Sequence, residues 1–181
     1  RLRTLLVTAA SAATGMFIVT TAQAEPLRVP VLVPITGFLS LEGTSQKNGA
    51  ELALVGSDVS YSVSDTATSP EVAINAFERV ADNKGVVAMV APMLGTQMLA
   101  LIPLADEFSI PIITVSGTAR ITKLGSPNVF RFFPGDAVVK AAQARYAVQE
   151  RGVKRPAIIS QTTAYGQSGR AELETNLVAL K

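Results

Sequence analysis

Hydroxyl-bearing and glycine residues follow each of five apolar runs in this 181-residue chain. They occupy the segments "TGFLSLEGTS" (36–45), "DTATS" (65–69), "LGTQ" (94–97), "SGTA" (116–119) and "TTAYGQSG" (162–169). Ser and Thr hydroxyls form hydrogen bonds without carrying charge, and Gly lets a ligand approach the backbone. Where such a segment opens a helix, its free N–H groups favour an anion such as a carboxylate. The pattern predicts a cleft for a small polar molecule, although the same residues are common in ordinary loops.

Residues for catalysis and metal binding are scarce. The sequence contains no His and no Cys, so the usual general base is missing and only carboxylates remain for a transition metal. It has no G-x-S-x-G elbow, no phosphate-binding loop and no G-x-G-x-x-G motif. Asp65 and Asp136 fit turns or helix caps, whereas Glu42 falls in the first hydroxyl-rich segment. We predict that the protein is not an enzyme and has no metal site and no cofactor.

Apolar runs alternate with helical patterns over residues 27–117, which is typical of a parallel sheet covered on both faces. The four predicted strands are "LRVPVLVPI" (27–35), "VSYSVSD" (59–65), "VVAMVAPM" (86–93) and "IPIITVSG" (110–117). Ligands of such sheets bind beyond the carboxyl ends of the strands. Each of the first four hydroxyl-rich segments follows one of these strands, so we expect them to share one edge of the sheet.

Three helices are predicted between these strands. The first runs from about Gln46 to Leu54. The second begins with Ser69 as its N-cap, Pro70 at its first position and Glu71 in its first turn. The third covers residues 95–109 and contains Pro103, which predicts a kink or a late start.

A second α/β unit is predicted after residue 117. Residues 118–136 are irregular because Gly and Pro interrupt them, and a helix over 137–152, a strand over 155–161 and a helix from about Gly169 follow. One strand cannot complete a sheet. We therefore expect the chain to be a fragment that lacks at least as many residues as it contains.

Residues 1–24 have the three parts of a secretory signal, namely basic Arg1 and Arg3, an apolar stretch and "AQA" at the end. Cleavage is expected after Ala24, and the apolar part is too short and interrupted for a permanent membrane span. Without the two arginines, 14 Lys and Arg residues balance 14 Asp and Glu residues. The charge therefore gives no sign of nucleic-acid binding, and we expect a periplasmic protein that is not membrane-embedded.

Four motifs occur in order: "PITGFLSLEGTSQKNGAELAL", "SDTATSPEVAINAFERVADNKGVVAMVAPMLGTQ", "IPIITVSGTARITKLGSPNVFRFFPGD" and "AIISQTTAYGQSGRAELE". Together they resemble the amino-terminal half of the type I periplasmic substrate-binding proteins of ABC transporters, in the group that binds leucine, isoleucine and valine. The resemblance implies an α/β fold with two Rossmann-like, three-layer lobes, each with a parallel sheet. Residues 1–24 would be the signal peptide, 25–134 lobe 1, and 135–181 the start of a truncated lobe 2, with a hinge crossing near 133–136.

The resemblance also implies ligand contacts. Ser116 and Thr118 match the strand-four loop that holds the carboxylate and ammonium groups of an amino acid in family members. Tyr165, in "YGQ", matches a tyrosine that reaches the ligand from the second lobe. These three residues are predicted to contact the ligand from both sides of the cleft.

Two positions depart from the family pattern. Gly95 stands where family members carry a Ser, and Thr96 follows it, so either the hydroxyl is displaced by one residue or backbone amides make the contact. Glu42 stands in the first loop, where branched-chain amino acid binders tend to have an aromatic residue. A carboxylate there would disfavour an aliphatic ligand and suit a cationic or strongly polar one.

The resemblance implies a monomeric receptor that captures a small polar solute, an amino acid or a related compound, and delivers it to the membrane permease of an ABC transporter. The alternative is a domain of the same fold that acts through a protein partner, as a sensor or as an activator of a cell-wall synthase.

Overall fold

The computed structural model describes residues 25–180. The predicted signal segment, residues 1–24, lies outside the described residues. Five strands form one sheet, and they are β1 (Val31–Val33), β2 (Val63–Asp65), β3 (Met89–Val90), β4 (Ile112–Thr114) and β5 (Val129–Arg131). Five α-helices accompany them, and they are α1 (Ser40–Leu54), α2 (Pro70–Ala81), α3 (Gly95–Glu107), α4 (Asp136–Arg145) and α5 (Ala164–Ala179).

All neighbouring strands are parallel, in the order β2-β1-β3-β4-β5. The register pairs Val31 with Val63 on one side and with Val90 on the other, and Ile112 pairs with Met89 and Val129. The carboxyl ends of the strands therefore lie along one edge of the sheet. The parallel α/β sheet predicted from the alternating pattern is confirmed.

The main core lies on the face of the sheet that bears Leu32, Met89 and Ile112, where α2 and α3 pack. The rings of Phe77 in α2 and Phe108, directly after α3, meet edge to face with their centroids 6.0 Å apart. Burial of these apolar side chains is the main stabilising contribution, at about 25 cal/mol for each Å² removed from water.

Helix α1 lies on the opposite face, next to β1. Gly43 is buried against the backbone of Pro34, directly after β1, and the carbonyl oxygen of Pro34 occupies the space that a Cβ atom would need. Beyond this contact, an open groove of about 620 Å³ remains between α1 and the second face of β3 and β4, where Ile113 and Val115 are partly exposed.

Helix α2 begins as predicted. The hydroxyl oxygen of Ser69 accepts a hydrogen bond from the N–H of Val72 at 3.3 Å, and Pro70 is the first helical residue. Helix α3 contains Pro103 and begins at Gly95, so the predicted late start is wrong. The Pro103 side chain is exposed, on the side of α3 that faces away from the core.

Two helix starts and one strand differ from the predictions. Helix α1 begins at Ser40 and not near Gln46, and α5 begins at Ala164 and not near Gly169. Strand β5 lies within residues 118–136, which were predicted to be irregular, after a short 3₁₀ helix (Ala119–Thr122). Pairing with β4 makes this segment a strand despite its flanking prolines.

The predicted strand over residues 155–161 is absent from the described structure. These residues have no regular structure, and Ile159 is 99% exposed. A strand needs a hydrogen-bonded neighbour, and no other described segment lies beside this one as a strand. The segment connects α4, which continues as a π-helical turn over Tyr146–Glu150, to α5.

The part of the chain that the structure describes contains no helix long and apolar enough to cross a membrane.

Candidate functional site

A cleft of about 400 Å³ lies beyond the carboxyl ends of β1, β3 and β4, and the start of α5 forms its far wall. Its lining residues are Phe38, Leu39, Glu42, Met93, Leu94, Gly95, Thr96, Val115, Gly117, Phe133, Gln161, Thr163 and Tyr165. Four of the six predicted ligand-binding residues, namely Glu42, Gly95, Thr96 and Tyr165, belong to this set. The cleft therefore lies at the sheet edge that the sequence indicates.

The amino terminus of α3 opens onto this cleft. Leu94, the residue before the helix, provides no side-chain cap. The first N–H groups of a helix have no acceptor within the helix, and Gly95 and Thr96 both line the cleft. This helix end can accept a carboxylate oxygen, because its N–H groups and the helix dipole favour negative charge.

Ser116 and Thr118 lie behind the cleft surface. Each is only 1% exposed, and neither hydroxyl oxygen has a hydrogen-bond partner among the described residues. The Thr118 hydroxyl lies against Gly95, in the space that a side chain at position 95 would occupy. The structure thus places the Thr118 hydroxyl at the start of α3, where family members were expected to carry a Ser.

Tyr165 lies in the first turn of α5 and not in a loop. Thr163 caps this helix, because its hydroxyl oxygen accepts a hydrogen bond from the N–H of Gly166 at 3.2 Å. The Tyr165 ring packs on the backbone of Gly117, where an added Cβ atom would lie 3.2 Å from ring atom Cε2. Tyr165 therefore reaches the loop after β4 from the opposite wall of the cleft.

Glu42 lies in the first turn of α1, and its predicted place in a loop is wrong. Its side chain is exposed and lines the cleft. Phe38, in the loop before α1, also lines the cleft and is 64% exposed. The first loop therefore presents an aromatic ring to the same cleft as the Glu42 carboxylate.

Sequence reasoning missed Phe38 and Phe133, which is 53% exposed on the same cleft. The signal available in the sequence was an aromatic residue within a Gly- or Pro-containing loop, in "TGF" and "FFPG". Exposed large apolar side chains that share one concave surface are typical of binding sites.

The loop after β2 does not line the cleft, although it was expected to share the site. Its Thr66 is fully buried and bonds to Gln97 of α3. The Gln97 side-chain amide donates to the carbonyl oxygens of Thr66 and Ser69, at 2.9 and 3.0 Å. The polar groups of this loop therefore join the start of α2 to α3.

Asp65 organises the loop after β1. Its Oδ1 accepts hydrogen bonds from the N–H groups of Ile35, Thr36 and Ala67, and its Oδ2 accepts one from the Thr36 hydroxyl at 2.6 Å. Partial burial opposes ionisation, but these hydrogen bonds outweigh it and lower the pKa of Asp65 below its ordinary value. The prediction that Asp65 serves a turn is confirmed.

Asp136 begins α4 and is 2% exposed. Its N–H donates to the carbonyl oxygen of Gly117 at 2.7 Å, whereas its Oδ2 has no hydrogen-bond partner among the described residues. Burial raises the pKa of Asp136, and the nearby Ser168 hydroxyl, Lys140 and Arg131 offset this only in part. An incompletely paired carboxylate therefore lies next to the cleft residue Gly117.

Within residues 25–180, no group of three or more His, Cys, Asp or Glu side chains is close enough to hold a metal ion. The polar and aromatic groups of the cleft include helix N–H groups, the Glu42 carboxylate, hydroxyl and amide side chains, and three aromatic rings. Such a set can bind an organic solute by hydrogen bonds and apolar contact.

Comparison with known proteins gives one family match. The family model described as a periplasmic binding protein matches residues 26–180. The Leu/Ile/Val-binding protein BraC3 of Rhizobium johnstonii is 26% identical to the chain over 151 residues, which is 78% of this chain and 41% of that protein.

Two solved structures have the same fold. The leucine-binding protein LivK of Thermotoga maritima is 25% identical, with a TM-score of 0.79 over 85% of this chain and 46% of that one. A solute-binding protein of an ABC transporter from Rhodopseudomonas palustris, solved in complex with 3,4-dihydroxybenzoic acid, is 23% identical, with a TM-score of 0.77 over 85% and 44%. The chain spans less than half the length of each of these three relatives.

Proposed function

Because the chain belongs to the periplasmic binding protein family, we propose that it forms the amino-terminal part of a solute receptor, which binds its ligand between two lobes without catalysing a reaction. Residues 25–134 form lobe 1, and residues 135–181 begin lobe 2. The receptor acts in the periplasm as a monomer, after removal of residues 1–24, and delivers its solute to the membrane permease of an ABC transporter.

The observation that carries this proposal is the position of Tyr165. Its ring comes from α5, in the proposed lobe 2, and packs on Gly117 of the loop after β4, in the proposed lobe 1. Both residues line the same cleft. A ligand in the cleft would touch both lobes, so that its binding free energy would favour the closed arrangement.

The ligand that suits this cleft is a small organic carboxylate. Its carboxylate binds at the start of α3, to the N–H groups of Gly95 and Thr96 and to the Thr96 hydroxyl. The hydroxyls of Thr118 and Ser116, which have no hydrogen-bond partner among the described residues, lie behind this carboxylate site, with Thr118 against Gly95.

The rest of the ligand has an apolar body and a hydrogen-bond-donating group. Phe38, Phe133 and Tyr165 surround the cleft with aromatic surface, which favours an aliphatic or aromatic body. Glu42 accepts hydrogen bonds, and it suits an ammonium or hydroxyl group of the ligand. Amino acids with apolar side chains meet these requirements, and hydroxylated aromatic acids meet them too. The Leu/Ile/Val-binding relative at 26% identity supports the first group.

The test is a thermal-shift screen of the full-length protein. A ligand that binds the native state raises the melting temperature by mass action. The library contains L-leucine, L-valine, L-phenylalanine, benzoate, 4-hydroxybenzoate, putrescine and leucinamide. We expect a shift with a carboxylate and none with leucinamide, which has the same side chain without the carboxylate. A shift with putrescine alone would contradict the carboxylate assignment, and silence across the library would overturn the receptor proposal.

A further inference from the structure

Helices α4 and α5 meet along one face of each. On α4, Asp136 and Lys140 are four residues apart and therefore share a face. On α5, the residues near this face are Tyr165, Ser168, Gly169 and Glu172, at the spacing of one helical stripe. Only the first of these four lines the proposed ligand cleft, so the other residues stand behind the cleft wall.

Lys140 reaches the ring of Tyr165. Its Nζ lies over the ring, 5.6 Å from the centroid. Ring atoms Cε2 and Cδ2 of Tyr165 pack on Gly117. The ring therefore contacts both the backbone of the loop after β4 and a cation on α4. An ammonium group over an aromatic face attracts the ring through its quadrupole, and it also restricts where the ring can turn.

The lack of a side chain at Gly169 leaves room for the Lys140 side chain to extend across α5 to the Tyr165 ring. A Cβ atom added at Gly169 would lie 3.0 Å from Cε of Lys140. Glycine is costly inside a helix, by about 1 kcal/mol relative to alanine, and α5 nevertheless has glycine where the lysine chain crosses it. Any larger residue would displace the end of the lysine chain, because that end is the flexible part.

The charges around Lys140 hold its ammonium group in this region. Asp136, which begins α4, is buried with one unpaired oxygen, and Lys140 attracts it. Glu172 of α5 adds a second negative charge near Asp136, and Arg131 of β5 adds a positive one. Lys140 is half-buried, so these interactions are less screened by solvent than those of an exposed pair.

We propose that Lys140 is a positioning residue of the binding cleft: its ammonium group fixes the Tyr165 ring against Gly117, and Gly169 provides the space for its side chain. This role rests on the proposed function, in which Tyr165 contacts the solute. Lys140 does not line the cleft and would act on the solute only through Tyr165.

The first test needs no ligand. The full-length protein is labelled with ¹³C in its tyrosine rings, and the Tyr165 signals are assigned by their loss in Tyr165→Phe. Lys140→Met keeps the length of the side chain and removes its charge. We expect Lys140→Met to shift the Tyr165 ring signals and Lys140→Arg to retain their positions. Tyr165 signals that stay unchanged in Lys140→Met would overturn the proposal.

Two control variants distinguish a specific effect on the Tyr165 ring from a general disturbance of the fold. Gly169→Ala is expected to shift the Tyr165 signals as Lys140→Met does, whereas Gly49→Ala, in α1 with no atom near its added Cβ, leaves them in place. Lys154→Met removes a charge from an exposed loop and is also expected to be silent. Equal shifts in a variant and its control would contradict a specific role for Lys140.

The second test measures affinity by calorimetry, with L-leucine as the probe. Lys140→Met is expected to weaken binding by roughly two- to fivefold, as for one cation–π contact, and to have no further effect in a Tyr165→Leu background. A full Lys140→Met effect in that background would overturn the proposal. If L-leucine does not bind at all, the calorimetry is repeated with the carboxylate found in the thermal-shift screen, and the ring signals decide independently whether Lys140 positions Tyr165.

Discussion

The Thr118 hydroxyl occupies the space that a Cβ atom on Gly95 would need. This contact joins the loop after β4 to the start of α3, the two backbone segments that meet at the proposed carboxylate site. We predict that Gly95→Ala destabilises the protein by about 1 to 3 kcal/mol, the usual cost of an extra group in a packed site. Urea denaturation of the full-length protein measures this, with Gly49→Ala as the control that meets no neighbouring atom.

The same contact predicts a coupling between the two positions. In Gly95→Ala combined with Thr118→Ala, the hydroxyl is gone and the new methyl group gains room. The double variant should therefore lose less stability than the sum of the two single variants. Strictly additive losses would show that the Thr118 side chain is not what excludes a side chain at position 95.

Asp65 is expected to support the fold through its ionised carboxylate. Asp65→Asn replaces one carboxylate oxygen with an N–H donor, so some of the four bonds from Ile35, Thr36 and Ala67 are lost. We predict a loss of about 2 kcal/mol at neutral pH, as for hydrogen bonds to a charged group. Chemical denaturation of the wild type and the variant gives the difference.

The pH dependence of this loss follows from the lowered pKa of Asp65. A lowered native pKa contributes stability that is present above the ordinary value of 3.8 and disappears as the pH falls through the native value. The gap between wild type and Asp65→Asn should therefore shrink on acidification below that range. A gap of constant size would mean that the charge of Asp65 is not responsible.

Asp136 should behave in the opposite way, because burial raises its pKa in the native protein. As the pH rises above the ordinary value of 3.8, the unfolded chain ionises first and gains stability relative to the native state. We predict that Asp136→Asn is more stable than wild type by roughly 1 kcal/mol at neutral pH and loses this advantage in acid.

Thermal denaturation at several pH values measures the effect of Asp136→Asn. The matched control is Asp58→Asn, at an exposed residue, which should give little change at any pH. Lower stability of Asp136→Asn at neutral pH would show that the carboxylate is paired more completely than its unbonded Oδ2 indicates.

Tyr165 is predicted to contribute directly to solute binding. Tyr165→Ala should weaken affinity for the solute found in the thermal-shift screen by about 1 to 3 kcal/mol if a buried polar contact is lost. Tyr165→Phe keeps the ring on Gly117 and tests the hydroxyl alone. Calorimetry compares both with Tyr61→Ala, outside the cleft. Unchanged affinity in Tyr165→Ala would remove Tyr165 from the site.

The sequence predicted the sheet well because local and tertiary signals agree there. Apolar runs mark β1, β3 and β4, and the Ser69-Pro70-Glu71 start of α2 is a strong local signal that the structure confirms. The start of α1 was missed because Gly43, Thr44 and Ser45 are weak helix formers. That turn forms because Gly43 lets α1 pack closely on Pro34, a tertiary contact that helix propensity does not include.

Two segments, one that became β5 and one that did not become a strand, show the same limit of sequence reasoning. "NVFRFF" lies between prolines and gives a weak strand signal, yet β4 offers it an edge to pair with. "PAIIS" gives a stronger signal, but no described strand lies next to it, and it has no regular structure. Pairing between strands is not a local property, so composition alone could not decide either segment.

For the cleft, the sequence indicated the edge of the sheet and several residues on it, but not which side chains reach the surface. Ser116 and Thr118 have the right chemistry and are buried, whereas Phe38 and Phe133 looked like ordinary loop residues and are exposed on the cleft. Whether the side chains of the loop after β4 lie at the cleft surface or behind it depends on how that loop packs on α3. That packing leaves no periodic pattern in the sequence.

The order of the strands also affects how the sheet can grow during synthesis, when the amino-terminal part of a chain folds first. Strands β1 and β2 form the first pair. Strand β3 then pairs with the free side of β1, β4 pairs with β3, and β5 pairs with β4. Among the five described strands, none has to enter between two that are already paired. The nascent chain can therefore extend the sheet at a single edge without undoing earlier hydrogen bonds.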